Sequence, residues 1–194
     1  QIISTSGFNY TLNRIAELLK GEFTSLITED PVLDSVYNTF RHHGYSIESL
    51  PMEEDGIALE GLDSLDSRLL YVTPTHHFLT GALLSSEKRE RIMDWAEEHD
   101  GYIIEDDYTV DLRTLSLATP ALQSCDTHNR VIYTGTFSKS ISTGVRAAFM
   151  VLPQTLLPHY QECFSGFDLA ASITDQLTLA DFIANGQYDR QLRT

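Results

Sequence analysis

Lys139 stands in Thr136-Phe137-Ser138-Lys139-Ser140, directly after the apolar run Val131-Ile132-Tyr133-Thr134-Gly135. A second apolar run ends upstream of it in Glu105-Asp106-Asp107-Tyr108. An amine, an acid and a phenol at the ends of buried-looking runs have the chemistry of a pyridoxal phosphate site. That cofactor needs an amine to form its imine, an anion for the pyridinium nitrogen, a donor to the ring hydroxyl and donors for the phosphate.

Lys139 lies among small hydroxyl residues, where a lysine can approach a cofactor and lose part of its hydration. Taken alone, a loop lysine also reads as a solvated surface charge. Asp106 is the preferred partner for the ring nitrogen, because a carboxylate left in a dry crevice is costly unless paired. Asp106 and Tyr108 are two apart, so in extended chain they face one side while Glu105 and Asp107 face the other. Alone, Glu-Asp-Asp-Tyr also reads as an acidic turn after a strand.

For the phosphate, Ser4-Thr5-Ser6-Gly7-Phe8-Asn9 passes from a strand into a helix, which points free N–H groups and the positive dipole end toward an anion. Ser6, Gly7 and Phe8 sit at that entry. Arg146, after Gly144-Val145, can supply the cation, and Thr136 and Ser138 can donate hydroxyls.

Other chemistries find less. His42-His43 and His76-His77 are adjacent pairs with no metal-ligand spacing. Ser138 lacks a Gly-x-Ser-x-Gly elbow. The Ser6-Gly7 entry has neither Gly-x-Gly-x-x-Gly nor Gly-x-x-x-x-Gly-Lys. Nothing singles out a carboxylate pair for glycoside chemistry among Glu105, Asp106 and Asp107.

The elements that must position these groups are legible as a pattern. Short apolar, often β-branched runs at 2–5, 24–28, 45–50, 69–73, 102–106, 131–135 and 147–152 predict seven buried strands. Between several of them lie segments with helical spacing: Leu12, Ile15, Ala16, Leu18 and Leu19; Val32, Val36 and Phe40; Ile92, Met93, Trp95 and Ala96. Ser85 and Ser86 are caps for a helix that ends near Asp100-Gly101. A last helix, roughly 173–185, carries Leu177, Leu179, Ala180, Phe182 and Ile183 and stops at Gly186. The polar stretch after Gly186 reads as the start of a connection. This alternation predicts a three-layer α/β/α domain with a mostly parallel seven-stranded sheet. In open α/β sheets ligands bind outside the carboxyl ends of the strands, where the polar residues above fall.

With 194 residues and 42% hydrophobic content the chain is expected to form one soluble domain, residues 1–194, and its start at Gln1 reads as a fragment. No run approaches a membrane span and no signal peptide is evident, so a cytoplasmic setting is expected. Cys125 and Cys163 read as reduced thiols. A net charge of −15, spread over the chain, disfavours direct contact with nucleic acid, so any DNA contact requires another domain.

Taken together, Tyr71-Val72-Thr73-Pro74-Thr75-His76-His77-Phe78-Leu79-Thr80-Gly81, Ile103-Ile104-Glu105-Asp106-Asp107-Tyr108, Gly135-Thr136-Phe137-Ser138-Lys139-Ser140 and Gly144-Val145-Arg146 resemble the aminotransferase-like domain of MocR/GabR-type transcriptional regulators of the GntR superfamily. The resemblance covers nearly the whole chain in order. It implies the large domain of a fold-type-I pyridoxal phosphate-dependent transferase, preceded in the full protein by a winged helix-turn-helix and followed by a smaller C-terminal subdomain.

It further implies that Lys139 forms the internal aldimine, Asp106 pairs with the pyridinium nitrogen and Tyr108 contacts the ring hydroxyl. Arg146, Ser6, Gly7, Thr136 and Ser138 would cradle the phosphate. His77 falls beside the cofactor, near where the family has Gln. Glu29-Asp30-Pro31-Val32-Leu33 resembles the family's Glu-Asp-Pro-Gly-Tyr but has no aromatic to stack on the ring, leaving Leu33 to cover it by apolar contact. Leu79 replaces the family's proline.

The reading that results is an effector-sensing, dimerising domain. Pyridoxal phosphate, alone or joined to a small amino compound, would shift a homodimer and so the DNA-binding domains attached to it. The alternative is an aminotransferase acting on an amino acid or amine, in which Lys139 also shuttles a proton. A third reading is a domain that has lost the cofactor and only dimerises.

Overall fold

The computed structural model describes residues 1–108, 119–142, 144–167 and 171–193. Its strands are β1 (Ile2–Thr5), β2 (Ser25–Asp30), β3 (Ser46–Glu53), β4 (Gly56–Ile57), β5 (Leu69–Val72), β6 (Tyr102–Asp107), β7 (Val131–Thr136) and β8 (Ala148–Val151). They form one eight-stranded sheet in the order β1-β8-β7-β6-β5-β2-β3-β4. The helices are α1 (Phe8–Leu19), α2 (Asp34–His42), α3 (Ser86–Glu98), α4 (Leu122–Cys125), α5 (Leu157–Phe164), α6 (Ile173–Ala184) and α7 (Gln187–Leu192).

All seven expected runs form strands, and two features differ from expectation. An eighth strand, β4, pairs antiparallel with the end of β3 through Met52 and Ile57; two residues are too short to register as an apolar run. The sheet is also mixed. β3, β2, β5, β6 and β7 run parallel, whereas β8 is antiparallel to both β7 and β1. Among its described residues the link from β7 to β8 contains no helix that could carry the chain back across the sheet, and the two strands pair as an antiparallel ribbon.

Alternation along the strands separates two cores. Leu69, Tyr71, Ile104 and Ile132 face the apolar stripes of α1 and α2, where Leu12, Ile15, Leu19, Val36 and Phe40 are buried. Leu70, Val72, Ile103 and Val131 face α3 and α4, meeting Ile92, Trp95, Ala96 and Leu122. α3 starts as its sequence requires: Ser85 Oγ accepts the Lys88 N–H, satisfying one orphan amide of the first turn. It ends where the Gly101 N–H returns to the Ala96 carbonyl.

α6 forms where its spacing predicts, yet Leu177 is 66% exposed and no α6 residue is buried. The polar stretch after Gly186 forms α7 rather than a bare connection. Tyr188 of α7 is buried and donates to Ser140 Oγ at 3.0 Å, which anchors the chain's end to the loop that carries Lys139.

Gly101 opens β6 directly against Arg68, and a Cβ there would drive into the Arg68 carbonyl oxygen. Gly101→Ala is expected to destabilise the domain by about 1–3 kcal/mol in urea unfolding. Gly166→Ala, whose Cβ would meet nothing within 4 Å, is the control expected to leave the midpoint nearly unchanged.

Candidate functional site

The predicted residues converge at the carboxyl ends of β5, β6 and β7 and at the entry to α1. Register accounts for this. Thr5 of β1 pairs with Ala148 of β8, which pairs with Thr136 of β7. Ser6 and Gly7 therefore follow β1 beside Arg146, which precedes β8, and beside Ser138, which follows β7. Asp106 of β6 pairs with Thr134, one strand inward.

Asp106 forms the floor. It is 2% exposed, its Oδ2 accepts the Tyr71 hydroxyl at 2.6 Å, and its Oδ1 takes a longer bond from Thr134 at 3.5 Å. Burial pushes its carboxyl up to about 7, against the lowering effect of the Tyr71 bond. Among the described residues no cation pairs with it. Its neighbours point the other way, as the alternation required. Glu105 accepts the Leu122 and Gln123 N–H groups and so caps α4, and Asp107 accepts from Thr75 and Tyr133.

The Lys139 ammonium is 5.8 Å from the centre of the Tyr108 ring, within reach of its electron-rich face. Tyr108 is half-buried, and burial followed by the charge of Asp106 raises its phenol, which keeps the hydroxyl protonated as a donor. Lys139 itself is exposed.

The phosphate-side residues also meet. Gly7 has φ 88°, and a Cβ on it would sit 2.7 Å from the Arg146 guanidinium, so only glycine admits that arginine. α1 begins without a side-chain cap, so its first amides are available to an anion. Thr136 Oγ1 accepts the Ser138 N–H at 3.2 Å, and Ser138 donates to the Val145 carbonyl, tying the lysine loop to the Arg146 loop. Phe8 opens the helix and packs against the first core.

His77 is fully buried. Its ring nitrogens lie 2.9 Å from the Pro31 carbonyl and from the Thr80 hydroxyl. Leu33, half-buried, packs against the first core.

Two residues of this neighbourhood were not singled out from sequence. Tyr71 looked like core inside an apolar run, although a buried tyrosine requires a partner for its hydroxyl. Glu29 lay in a recognised segment without any sign of burial. It is 3% exposed, holds the Thr73 N–H and hydroxyl at 2.9 and 2.7 Å, and is raised to about 7, chiefly by burial.

The residues fit pyridoxal phosphate. The buried carboxyl wants a cation, the glycine opening is occupied by a guanidinium at a helix entry, and the lysine stands over the phenol beside that carboxyl.

No family model matches the chain. It is 34% identical over 192 residues to the uncharacterized HTH-type transcriptional regulator YdeL of Bacillus subtilis, covering 99% of this chain and 41% of that protein. It is 34% identical over 193 residues to the probable rhizopine catabolism regulatory protein MocR of Rhizobium meliloti, covering 100% and 39%. The chain thus spans about two fifths of the length of these curated relatives. Among solved structures, LysN, an α-aminoadipate aminotransferase of Thermus thermophilus complexed with N-(5'-phosphopyridoxyl)-L-leucine, superposes with a TM-score of 0.87 at 26% identity, over 99% of this chain and 51% of that one.

Glu29, Glu105 and Asp106, all raised to about 7, hold protons in the folded state that the unfolded chain releases near pH 4. The cofactor-free protein is therefore expected to lose stability as pH rises from about 4 through about 7. Asp106→Asn, which keeps an acceptor for Tyr71, should remove on the order of 2–4 kcal/mol of that loss, read as the difference in urea unfolding between pH 5 and pH 8.

Proposed function

From the homology of this chain, over its whole length, to the MocR-type HTH transcriptional regulators, we propose that it is the effector-sensing, dimerising domain of such a regulator and holds pyridoxal phosphate covalently on Lys139. The observation that carries this is Asp106: an acid buried at the carboxyl end of a central strand, without a paired cation among the described residues, on the same side as Tyr108 and the Lys139 amine. A pyridinium N–H is the partner that would let it ionise there.

Bound in this site, pyridoxal phosphate supplies an aldehyde carbon that condenses with primary amines and a ring that withdraws electrons. The chain's own groups do the rest. Lys139 Nζ would supply the amine that holds the aldehyde carbon. Asp106, oriented by Tyr71, holds the ring-nitrogen proton. Tyr108 donates its phenol proton to the ring hydroxyl. Arg146, the α1 amides at Ser6–Phe8 and the hydroxyls of Thr136 and Ser138 bind and orient the phosphate.

Were Lys139 to give up its hold on the cofactor to an amino compound, the change would fall on a loop that is bonded through Ser140 to Tyr188 of α7. In the longer protein, the change would pass to a DNA-binding domain outside this chain. The acidic surface keeps the DNA contact elsewhere.

Titration with pyridoxal phosphate should produce a visible absorbance band, and borohydride should bleach that band while fixing the cofactor to the peptide containing Lys139. Lys139→Ala should abolish both. Arg146→Ala and Gly7→Ala should each weaken binding about tenfold to a hundredfold while leaving the fold intact by circular dichroism. Absence of the band in the wild-type protein, or label on another lysine, would reject the assignment. An amino compound that changes the spectrum without net conversion to a keto product marks a sensor; sustained keto product marks an aminotransferase.

A further inference from the structure

We propose that His77 is a positioning residue of this site, a neutral imidazole that ties the segment leaving β2 to the turn leaving β5. The effect on cofactor binding rests on the reading above, whereas the tie itself belongs to the cofactor-free protein.

The partners of the ring fix its tautomer. Nε2 lies 2.9 Å from the Pro31 carbonyl, which can only accept, so Nε2 carries the proton. Nδ1 accepts the Thr80 N–H at 3.2 Å, so Nδ1 is bare and the ring is neutral; the Thr80 hydroxyl donates to the same atom at 2.9 Å. The His77 backbone closes the turn around these bonds, its N–H reaching the Ala82 carbonyl and its carbonyl accepting the Gly81 N–H.

The exit of β2 is then held to the exit of β5 at two points, Glu29 on Thr73 and Pro31 on His77. Of the two strands, β5 lies beside β6, whose end carries Asp106, and β2 is one strand further out. The segment they fix runs into Val32 and Leu33, next to the cofactor side of the sheet.

Glu29 also faces the ring, its Oε2 3.9 Å from Nε2. A glutamine at this position has one donor and one acceptor on the same amide. It can therefore make the same tie, whereas alanine supplies neither a donor for Pro31 nor an acceptor for Thr80.

The test compares wild type, His77→Gln and His77→Ala by amide exchange in the cofactor-free protein. At pH 8 the protection of the Thr80 and Gly81 amides should fall several-fold in His77→Ala. In His77→Gln it should stay within about threefold of wild type. In pyridoxal phosphate titrations at pH 8, His77→Ala should weaken binding about tenfold and His77→Gln should stay within about threefold of wild type.

His77→Ala protection equal to that of wild type, or His77→Gln behaving like the alanine variant, overturns the proposal. Should His77→Ala fail to fold, the comparison of wild type with His77→Gln still decides it. Should wild type bind no pyridoxal phosphate, the cofactor reading fails while the exchange result still settles the tie.

Discussion

The carboxyl of Asp106, out of water at the end of β6 and held by the Tyr71 hydroxyl, ionises readily only opposite a cation, and much of the surrounding architecture serves to keep it both dry and reachable. The parallel strands on either side keep it dry. Tyr71 comes from β5 and Thr134 from β7, so each neighbouring strand supplies a donor. Tyr71 also packs in the first core, so its hydroxyl cannot follow solvent. The carboxyl is reachable because strand alternation sends Glu105 and Asp107 to the opposite face, where helix amides and hydroxyls satisfy them. Three consecutive acids thus do two different jobs, and pleat alone assigns them.

Much of this was legible in the sequence, for a physical reason. A β-branched run between helical stripes has few places to go but a covered sheet, and period-two alternation fixes which acid faces the cofactor side. Direction was not legible. Alternation is the same for a strand pointing up or down, so β8, which runs against both its neighbours, could not be told from the parallel strands. β4, two residues set by the turn at Gly56, leaves no hydrophobic signature. α6 shows the converse: its apolar spacing correctly named a helix but said nothing about which partner, if any, covers it.

Within the site, sequence found the groups with unusual chemistry and passed over those with ordinary roles. Lys139, Asp106 and Arg146 stand out as charges beside apolar runs. Tyr71 and Glu29 do not, because one looks like core and the other like surface until the fold brings Asp106 and Thr73 against them. His77 falls between. Its position attracted notice, yet its two hydrogen bonds to Pro31 and Thr80, which spend both ring nitrogens on protein, appear only in three dimensions.

The opening at Gly7 has a bearing on how the domain assembles. Gly7 and the arginine that packs on it lie far apart in the sequence and are joined through the edge strand β1 on its antiparallel neighbour β8. Contacts of such large sequence separation close long loops and add to the topological slowness of folding. An edge strand is also the part of a sheet most ready to open locally. An anion bound there would bridge the first turn of the first helix to a loop near residue 146, acting as a latch across the chain. Occupancy of the cradle would then report that the edge strand is in place.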